Sequence, residues 1–107
     1  MNVNTLLQLY ASGDRDFSNA ELNQANLAGA KLSGINLIRA NLAQAVLKQA
    51  NLSGAFLVLA DLSEADLSGV IAIAVNFSGA NLQGANLAHS KLTEEERLRW
   101  NEHAVTN

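Results

Sequence analysis

Residues 40–69 read ANLAQ, AVLKQ, ANLSG, AFLVL, ADLSE and ADLSG, six consecutive variants of one five-residue unit. Each unit has alanine first and leucine third. The same register extends in both directions, so that the eighty residues 15–94 divide into sixteen units of five. Only Ala72 stands where a central leucine or phenylalanine is expected. A period that covers most of a chain indicates a repeat architecture, and the fold can therefore be argued from one unit.

A period of five fits neither a regular helix nor a flat strand. Five residues advance an α-helix by about 500°, so the leucines would spiral around it and form no apolar stripe. In a flat strand, successive leucines would alternate between the two faces. The period fits short extended segments whose first and third residues point inward, each followed by a turn in the same direction. Six of the seven glycines fall two residues after the central residue, where such a corner is needed: Gly29, Gly34, Gly54, Gly69, Gly79 and Gly84.

Units such as ANLSG at 50–54 and ANLQG at 80–84 resemble the bacterial pentapeptide-repeat family, cyanobacterial members in particular. The resemblance implies an all-β fold, a right-handed quadrilateral β-helix in which four units make one square coil. Residues twenty apart then stack, and residues 15–94 form about four coils. We expect one domain over residues 1–107, with a capping helix in 1–14, the β-helix in 15–94, and a helix and tail in 94–107.

The N-terminal segment predicts a short helix that lies over the first coil. Four apolar residues follow the i, i+3, i+4, i+7 spacing of one helix face: Val3, Leu6, Leu7 and Tyr10. Asn2 or Asn4 can cap the start of this helix, and Gly13 can end it. An Arg-Asp-Phe sequence at 15–17 is similar to the start of the coil in several family members.

The C-terminal segment predicts a helix from Glu94 to about His103. Thr93 and Glu96 have the spacing of a capping box. The apolar face of this helix is weak, and consists of Leu98, Trp100, Ala104 and Val105. Two hypotheses stay open: the helix is a loosely docked cap, or Trp100 forms a secondary dimer contact, as the C-terminal helix does in some family members.

Composition excludes several classes of protein. The chain has no cysteine, which excludes disulfides and zinc–thiolate sites. A net charge of −3 gives no reason to expect a nucleic acid as partner. No stretch approaches the roughly 20 apolar residues of a membrane span, and the start of the chain does not look like a signal peptide. We therefore expect a cytoplasmic protein with no membrane partner.

The sequence offers no catalytic, cofactor-binding or metal-binding residues. His89 and His103 have no evident nucleophile as a partner, and the carboxylates Asp61, Glu64 and Asp66 lack the spacing of a calcium loop. A shaft filled by side chains leaves no cavity for a small-molecule substrate. We predict that the protein is not an enzyme and needs no cofactor.

One edge of the predicted coil is unusually apolar. Six residues at outward positions on two neighbouring faces are apolar, and we call them the apolar edge: Ile38, Phe56, Val58, Leu59, Ile71 and Ile73. A contiguous apolar patch is typical of a protein-contact site, most simply in a two-fold homodimer. Alternatively, a terminal segment covers the patch or the third coil is locally distorted.

Ala72 poses a packing problem, because a missing leucine side chain leaves a void. Val70 and Val75 replace the usual alanines on either side and can refill the space. The alternative is a local bulge that turns Ile71 or Ile73 inward.

The functional expectation is a non-enzymatic structural or protein-binding module. Its partner is a second copy of itself or another protein, bound through the apolar edge. The resemblance also implies an alternative, since some family members imitate DNA and bind a type II topoisomerase such as DNA gyrase. Those members are long and strongly acidic, whereas this chain is short and carries balanced charges.

Overall fold

The computed structural model describes residues 1–103, which contain two helices, α1 (Val3–Ala11) and α2 (Glu94–His103). Between the helices the backbone winds in coils of twenty residues. Twelve parallel bridges join residues twenty apart, from Asp16 with Asn36 to Ile71 with Lys91. Each bridge involves a single residue, so no longer strand forms within the described range. Four five-residue units therefore make one coil, as predicted, while the right-handed sense of the coil stays a prediction.

The coils are held together by a backbone ladder that runs along the stack. In the first twelve units, from Phe17 to Ala72, the central residue donates its N–H to the carbonyl nineteen residues ahead, as Leu42 does to Asp61 at 2.7 Å. The bridging residue of the next coil donates back, as Asp61 does to Ala40 at 3.0 Å. The extended part of a unit is short because the chain turns immediately afterwards: the Ala45 N–H donates to the Leu42 carbonyl at 3.0 Å.

The turn explains the positions of the glycines. The residue two after the central one has a positive φ in fifteen of the sixteen units. Six of these residues are the predicted glycines, with φ between 66° and 76°, and nine are larger residues with φ between 59° and 63°. Left-handed backbone costs a residue with a side chain about 1 kcal/mol, which favours glycine at these corners.

The residue before the central one stabilises the turn. In ten units it is asparagine or aspartate, whose Oδ1 accepts the N–H two residues on. Asn41, for example, accepts the Ala43 N–H at 3.1 Å. This Asx turn is why the units read A-N-L or A-D-L.

The core is a column of central residues. From Phe17 to Leu82 every central side chain is buried, and the alanines of the middle coils are buried beside them. Ala20, Ala25 and Ala30 are only partly buried because their coil is the first of the stack. At Ala72, Val70 and Val75 are buried whereas Ile73 is 46% exposed, which agrees with refilling by the valines and not with a bulge.

Helix α1 covers the first coil, as predicted. Asn2 caps it by accepting the N–H groups of Asn4 and Thr5, and Gly13 ends it with φ 105°. Leu6 is fully buried, and the Tyr10 hydroxyl donates to the Ser33 carbonyl at 2.7 Å. Leu7 was expected on the buried face but is 36% exposed. It lies about 100° around the helix from Leu6, beyond the part that contacts the coil.

Helix α2 closes the other end of the stack. Trp100 is fully buried, and its ring centroid lies 4.6 Å from that of Phe77. The helix is therefore docked through Trp100, and the hypothesis that this side chain is a dimer contact is wrong for this conformation, because none of its surface is free. Leu98, expected on the same apolar face, is 63% exposed. Ala104 and Val105 lie outside the described residues.

Glu96 fixes the start of α2 to the last coil. The predicted capping box is present: Thr93 Oγ1 accepts the Glu96 N–H at 3.1 Å, and Glu96 Oε1 accepts the Thr93 N–H at 3.0 Å. Glu96 Oε2 also accepts the N–H of Ala74, a corner group that in earlier coils bonds to the next coil. Burial raises the pKa of this carboxyl, but hydrogen bonds from Thr93, Ala74 and Val75 outweigh it, and the net pKa is lowered.

Candidate protein-contact surface

The coil has four faces, which we name by a central residue of the third coil. The Leu57 face is followed around the coil by the Leu62 face, the Leu67 face and the Ala72 face, and then by the Leu57 face again, one coil further. The Leu57 face therefore lies between the Ala72 face and the Leu62 face, which are on opposite sides of the coil.

Five of the six residues of the apolar edge lie on the Leu57 face and its two corners, and Ile71 lies on the Ala72 face. Phe56, Leu59 and Ile73 are 46%, 49% and 46% exposed, whereas Ile38, Val58 and Ile71 are half-buried. Phe56 bridges Asn36 and Asn76, at the middle of the face. Val58 and Leu59 form the corner between the Leu57 face and the Leu62 face, and Ile38 occupies the position of Val58 one coil earlier. Ile73 lies at the other corner, between the Ala72 face and the Leu57 face. Three large exposed side chains are thus held on a rigid backbone.

Phe56 occupies a position where the repeat prefers asparagine or aspartate. The residues at the same position in the neighbouring coils, Asn36 and Asn76, each accept the N–H two residues on, at 3.0 and 3.2 Å. A phenylalanine side chain has no acceptor, so this unit gives up its Asx turn. Phe56 therefore forgoes a local stabilising bond while exposing apolar surface, and Ile71 forgoes the same bond on the next face.

Leu59 breaks a second local rule. It occupies the left-handed corner position with φ 59°, which is unfavourable for a leucine by about 1 kcal/mol. Its side chain leans along the stack towards the last coil, since its Cδ2 lies 2.7 Å from the position that a Cβ would take at Gly79. Because residue 79 is a glycine, no Cβ occupies the space into which the exposed Leu59 side chain extends.

We expect Gly79→Ala to be more destabilising than Gly29→Ala. Both glycines are corners with φ near 70°, so each new Cβ costs about 1 kcal/mol of backbone strain. Open space surrounds Gly29, whereas the Cβ at 79 also forces Leu59 into another rotamer, for about 1 kcal/mol more. Urea denaturation measures both losses. Equal losses would mean that Leu59 does not rest over Gly79.

Charges differ between the two faces that flank the Leu57 face. The bridging residues of the Ala72 face include Lys31 and Lys91, and those of the Leu62 face include Glu21 and Asp61. Among the side chains described up to Trp100, the single ion pair joins Arg99 to Glu95 at 3.4 Å, so these four charges are not paired with one another or with any other of those side chains. The bridging residues thus make the Ala72 side of the apolar edge basic and the Leu62 side acidic, while Glu94 and Arg39 at the two corners carry the opposite signs.

A shallow groove of about 400 Å³ adjoins the apolar edge where α2 meets the last coil. It is lined by residues 74–78 with Glu96 and Arg99. The Glu96 carboxylate is already bonded to backbone N–H groups. In the part of the chain that the structure describes, no three His, Cys, Asp or Glu side chains gather as a metal site would require. No helix in that part is long and apolar enough to cross a bilayer.

The family model for pentapeptide repeats (8 copies) matches the chain over residues 20–57, 40–79 and 60–94. This chain belongs to the pentapeptide repeat family. The matches together cover residues 20–94, most of the coil that the twenty-residue register defines. A search of the curated proteins found no match.

Solved pentapeptide repeat structures are similar to this family member. The protein alr5209 from Nostoc Pcc 7120 is 38% identical over 92% of both chains, with a TM-score of 0.50. HetL, from the cyanobacterium Nostoc sp. strain PCC 7120 and involved in heterocyst differentiation regulation, is 30% identical over 79% of this chain and 53% of its own, with a TM-score of 0.62. QnrB1, a plasmid-mediated fluoroquinolone resistance protein, is 20% identical over 81% of this chain and 42% of its own, with a TM-score of 0.69, and shares the fold.

Two features of the site could not be found by sequence reasoning. No sequence pattern indicates that Glu96 reaches the Ala74 N–H, because the two residues meet only through the docking of α2. Nor does any sequence pattern indicate the two buried polar atoms that have no hydrogen-bond partner within the described residues, Ser90 Oγ and Trp100 Nε1. Ser90 is at a position that is alanine in most units, which is a weak signal.

Proposed function

We propose that this chain is a non-enzymatic protein-binding module that associates with a second copy of itself through the apolar edge. The observation that carries the proposal is the cluster of Phe56, Leu59 and Ile73, each nearly half exposed on one side of a rigid coil. Apolar residues scattered singly over a surface need no partner, but three such residues on one edge favour a contact site. An isologous dimer is the simplest assembly that covers such a patch.

The local penalties at the apolar edge support the proposal. Phe56 forgoes an Asx turn and Leu59 is in a left-handed conformation, so both residues weaken the isolated coil. Six units lack an Asx residue and nine carry a larger residue at the left-handed corner, but unit 55–59 combines both with two exposed apolar side chains. Such exceptions to local rules are typical of functional surfaces, because a gain elsewhere offsets the loss. Burial against a partner would supply that gain.

The charges give no support to the DNA-mimic alternative. A DNA mimic needs a surface with carboxylates close to the density of DNA, about one charge per 1.7 Å. Here Glu21 and Asp61 on the Leu62 face are balanced by Lys31 and Lys91 on the opposite face. The likeness to QnrB1 is at 20% identity and concerns the fold.

The substitution Phe56→Asn tests self-association without damaging the fold. Asparagine restores the Asx turn of the neighbouring units, so we expect thermal stability of the monomer to be maintained or raised. The same change removes a central apolar contact from both copies, and we expect dimer dissociation to become about tenfold easier or more. Light scattering after size exclusion should report a mass near the monomer value of 11.3 kDa, where wild type gives twice that mass.

Val46→Asn is the matched control. Val46 occupies the same unit position on the Leu67 face, away from the apolar edge. We expect this variant to keep the wild-type mass. If Phe56→Asn and wild type have the same mass at every concentration, the proposal is wrong.

A further inference from the structure

The proposed self-association has two limiting forms, because a two-fold axis in the plane of the contact can run along the coils or across them. If the axis is parallel to the coil axis, the two coils lie side by side and point the same way. If the axis runs across the face, the coils point in opposite directions. The two forms bring different residues together, and the structure distinguishes them.

The charges on the flanking faces favour the first form. Rotation about an axis parallel to the coil exchanges left and right, so the Ala72 face of one copy lies beside the Leu62 face of the other. Lys31 and Lys91 are then on the same side of the dimer as the partner's Glu21 and Asp61, at both edges of the contact. The parallel form sets Asp16 of the first coil opposite its equivalent, a single like-charge pair, whereas in the crossed form like charges lie side by side at both edges.

The heights of the apolar residues along the stack also favour the first form. Phe56 is in the third coil, whereas Leu59 leans over Gly79 of the fourth coil, and Ile73 comes only six residues before Gly79. Leu59 and Ile73 are therefore both displaced in the same direction from Phe56, at opposite corners of the face. A parallel axis preserves height, so that Phe56 meets its equivalent while Leu59 of each copy meets the partner's Ile73.

The crossed form cannot bring Phe56 onto its equivalent and Leu59 onto an apolar residue at the same time. An axis at the height of Phe56 reverses the displacement, and it places Leu59 opposite the corner of the second coil, where the exposed Arg39 stands. An axis at the height of Leu59 instead places Phe56 opposite Asn76. Either choice sets an apolar side chain against a polar one at the centre of the contact.

We propose that two copies of this chain pack side by side with their coils parallel, through the Leu57 face, and this proposal rests on the self-association proposed above. The partner is a second copy, and its recognition depends on the pairing of Leu59 with Ile73 and on the opposite charges of the flanking faces. Such a dimer leaves the α2 end of both copies on the same side, so both adjoining grooves face one direction.

Single cysteines on the Leu57 face test the arrangement, since the chain has no cysteine of its own. Asn36 and Asn76 bridge Phe56 from either side, so Asn36→Cys and Asn76→Cys place thiols two coils apart in the same column. Packed faces lie about 10 Å apart, beyond the Cα separation of about 7 Å that a disulfide tolerates, so a bifunctional thiol reagent that spans about 10 Å is used to join facing cysteines. A mixed pair is displaced by a further two coils, roughly 9.6 Å along the stack, and is out of its reach. In the parallel dimer each cysteine faces its own equivalent.

The expected result is a crosslinked dimer with either variant alone, and no mixed species when a tagged Asn36→Cys chain is combined with an untagged Asn76→Cys chain. Asn81→Cys, at the same unit position on the Leu62 face, is the matched control and should stay uncrosslinked. Light scattering of the reduced variants and circular dichroism show that each has kept its mass and its fold.

Three results would overturn the proposal of parallel coils, and each has a different consequence for the proposed self-association. A mixed Asn36→Cys/Asn76→Cys species without crosslinks in either variant alone means crossed coils, and self-association through this face stands. A reduced dimer that forms no crosslink on this face, or one joined through Asn81→Cys, means that another surface is used. A monomeric mass for the wild-type chain and all variants means that the proposed function itself is wrong.

Discussion

Replacement of Trp100 by alanine is expected to lower the free energy of unfolding by about 3–5 kcal/mol, the range for removal of a fully buried large aromatic side chain. Trp100 has no exposed surface and packs on Phe77 with a centroid separation of 4.6 Å. Without it, α2 keeps the capping box and the Glu96 bond but loses the contact that fills the end of the core. The last coil would then expose apolar surface and open ladder groups.

Urea denaturation followed by far-ultraviolet circular dichroism measures this loss. Leu98→Ala is the matched control on the same helix, because Leu98 is 63% exposed, and its unfolding free energy should stay within about 0.5 kcal/mol of wild type. A similar small loss in both variants would contradict the docking of α2 through Trp100.

Leu62→Ala is expected to cost about 2–5 kcal/mol, the range for leucine truncation in a close-packed core. Leu62 is fully buried in the third coil, between Leu42 and Leu82 of the same column. The backbone ladder fixes the spacing of the coils, so the neighbours have little freedom to collapse into the void. Each coil also relies on its neighbours for stability, and the loss at one coil affects the whole stack.

Leu87→Ala is the matched control for Leu62→Ala, with the same substitution at the same unit position. Leu87 is in the last coil and only half-buried, so its truncation should cost clearly less. The difference between the two midpoints of urea denaturation is the quantity to measure. A loss at Leu87 equal to that at Leu62 would contradict the difference in burial.

The coil could be predicted from the sequence because its determinants are local and repeated. The interval from Leu22 to Leu27 is the same as that from Leu27 to Leu32, so one argument about inward and corner positions applies to every unit. The corner glycines and the Asx residues follow from the backbone conformation that each unit needs, and the structure confirms both. The twenty-residue register came from the family resemblance, since one unit does not say how many make a turn.

The two ends were predicted less well because their packing depends on tertiary contacts. Helix spacing identified Leu6 and Tyr10 correctly but also included Leu7, since a four-residue pattern does not say how far the contact extends around the helix. At the other end the capping box was correct, whereas the burial of Trp100 depends on how α2 meets Phe77, which lies 23 residues earlier in the chain and follows no local pattern with it. Period alone contains no information on such a contact.

The apolar edge could be placed on one side of the coil by counting residues, but its details could not. The exposure of Phe56, Leu59 and Ile73 agrees with outward positions in the unit. That Leu59 leans over Gly79 depends on a left-handed corner followed by a glycine one coil later, and the sequence pattern does not give side-chain direction. The direction matters because it sets the height at which a partner must meet this side chain.

Nuclear magnetic resonance of the isotopically labelled chain tests the coil most directly, through scalar couplings across backbone hydrogen bonds. A twenty-residue coil predicts couplings from the amide nitrogen of each central residue before the last coil to the carbonyl carbon nineteen residues ahead, such as Leu42 to Asp61 and Leu62 to Asn81, each bond 2.7 Å long. These couplings should recur every five residues up to the last coil. Couplings of Leu42 or Leu62 to carbonyls at any other separation would contradict the twenty-residue coil, and with it the position of every residue on the apolar edge.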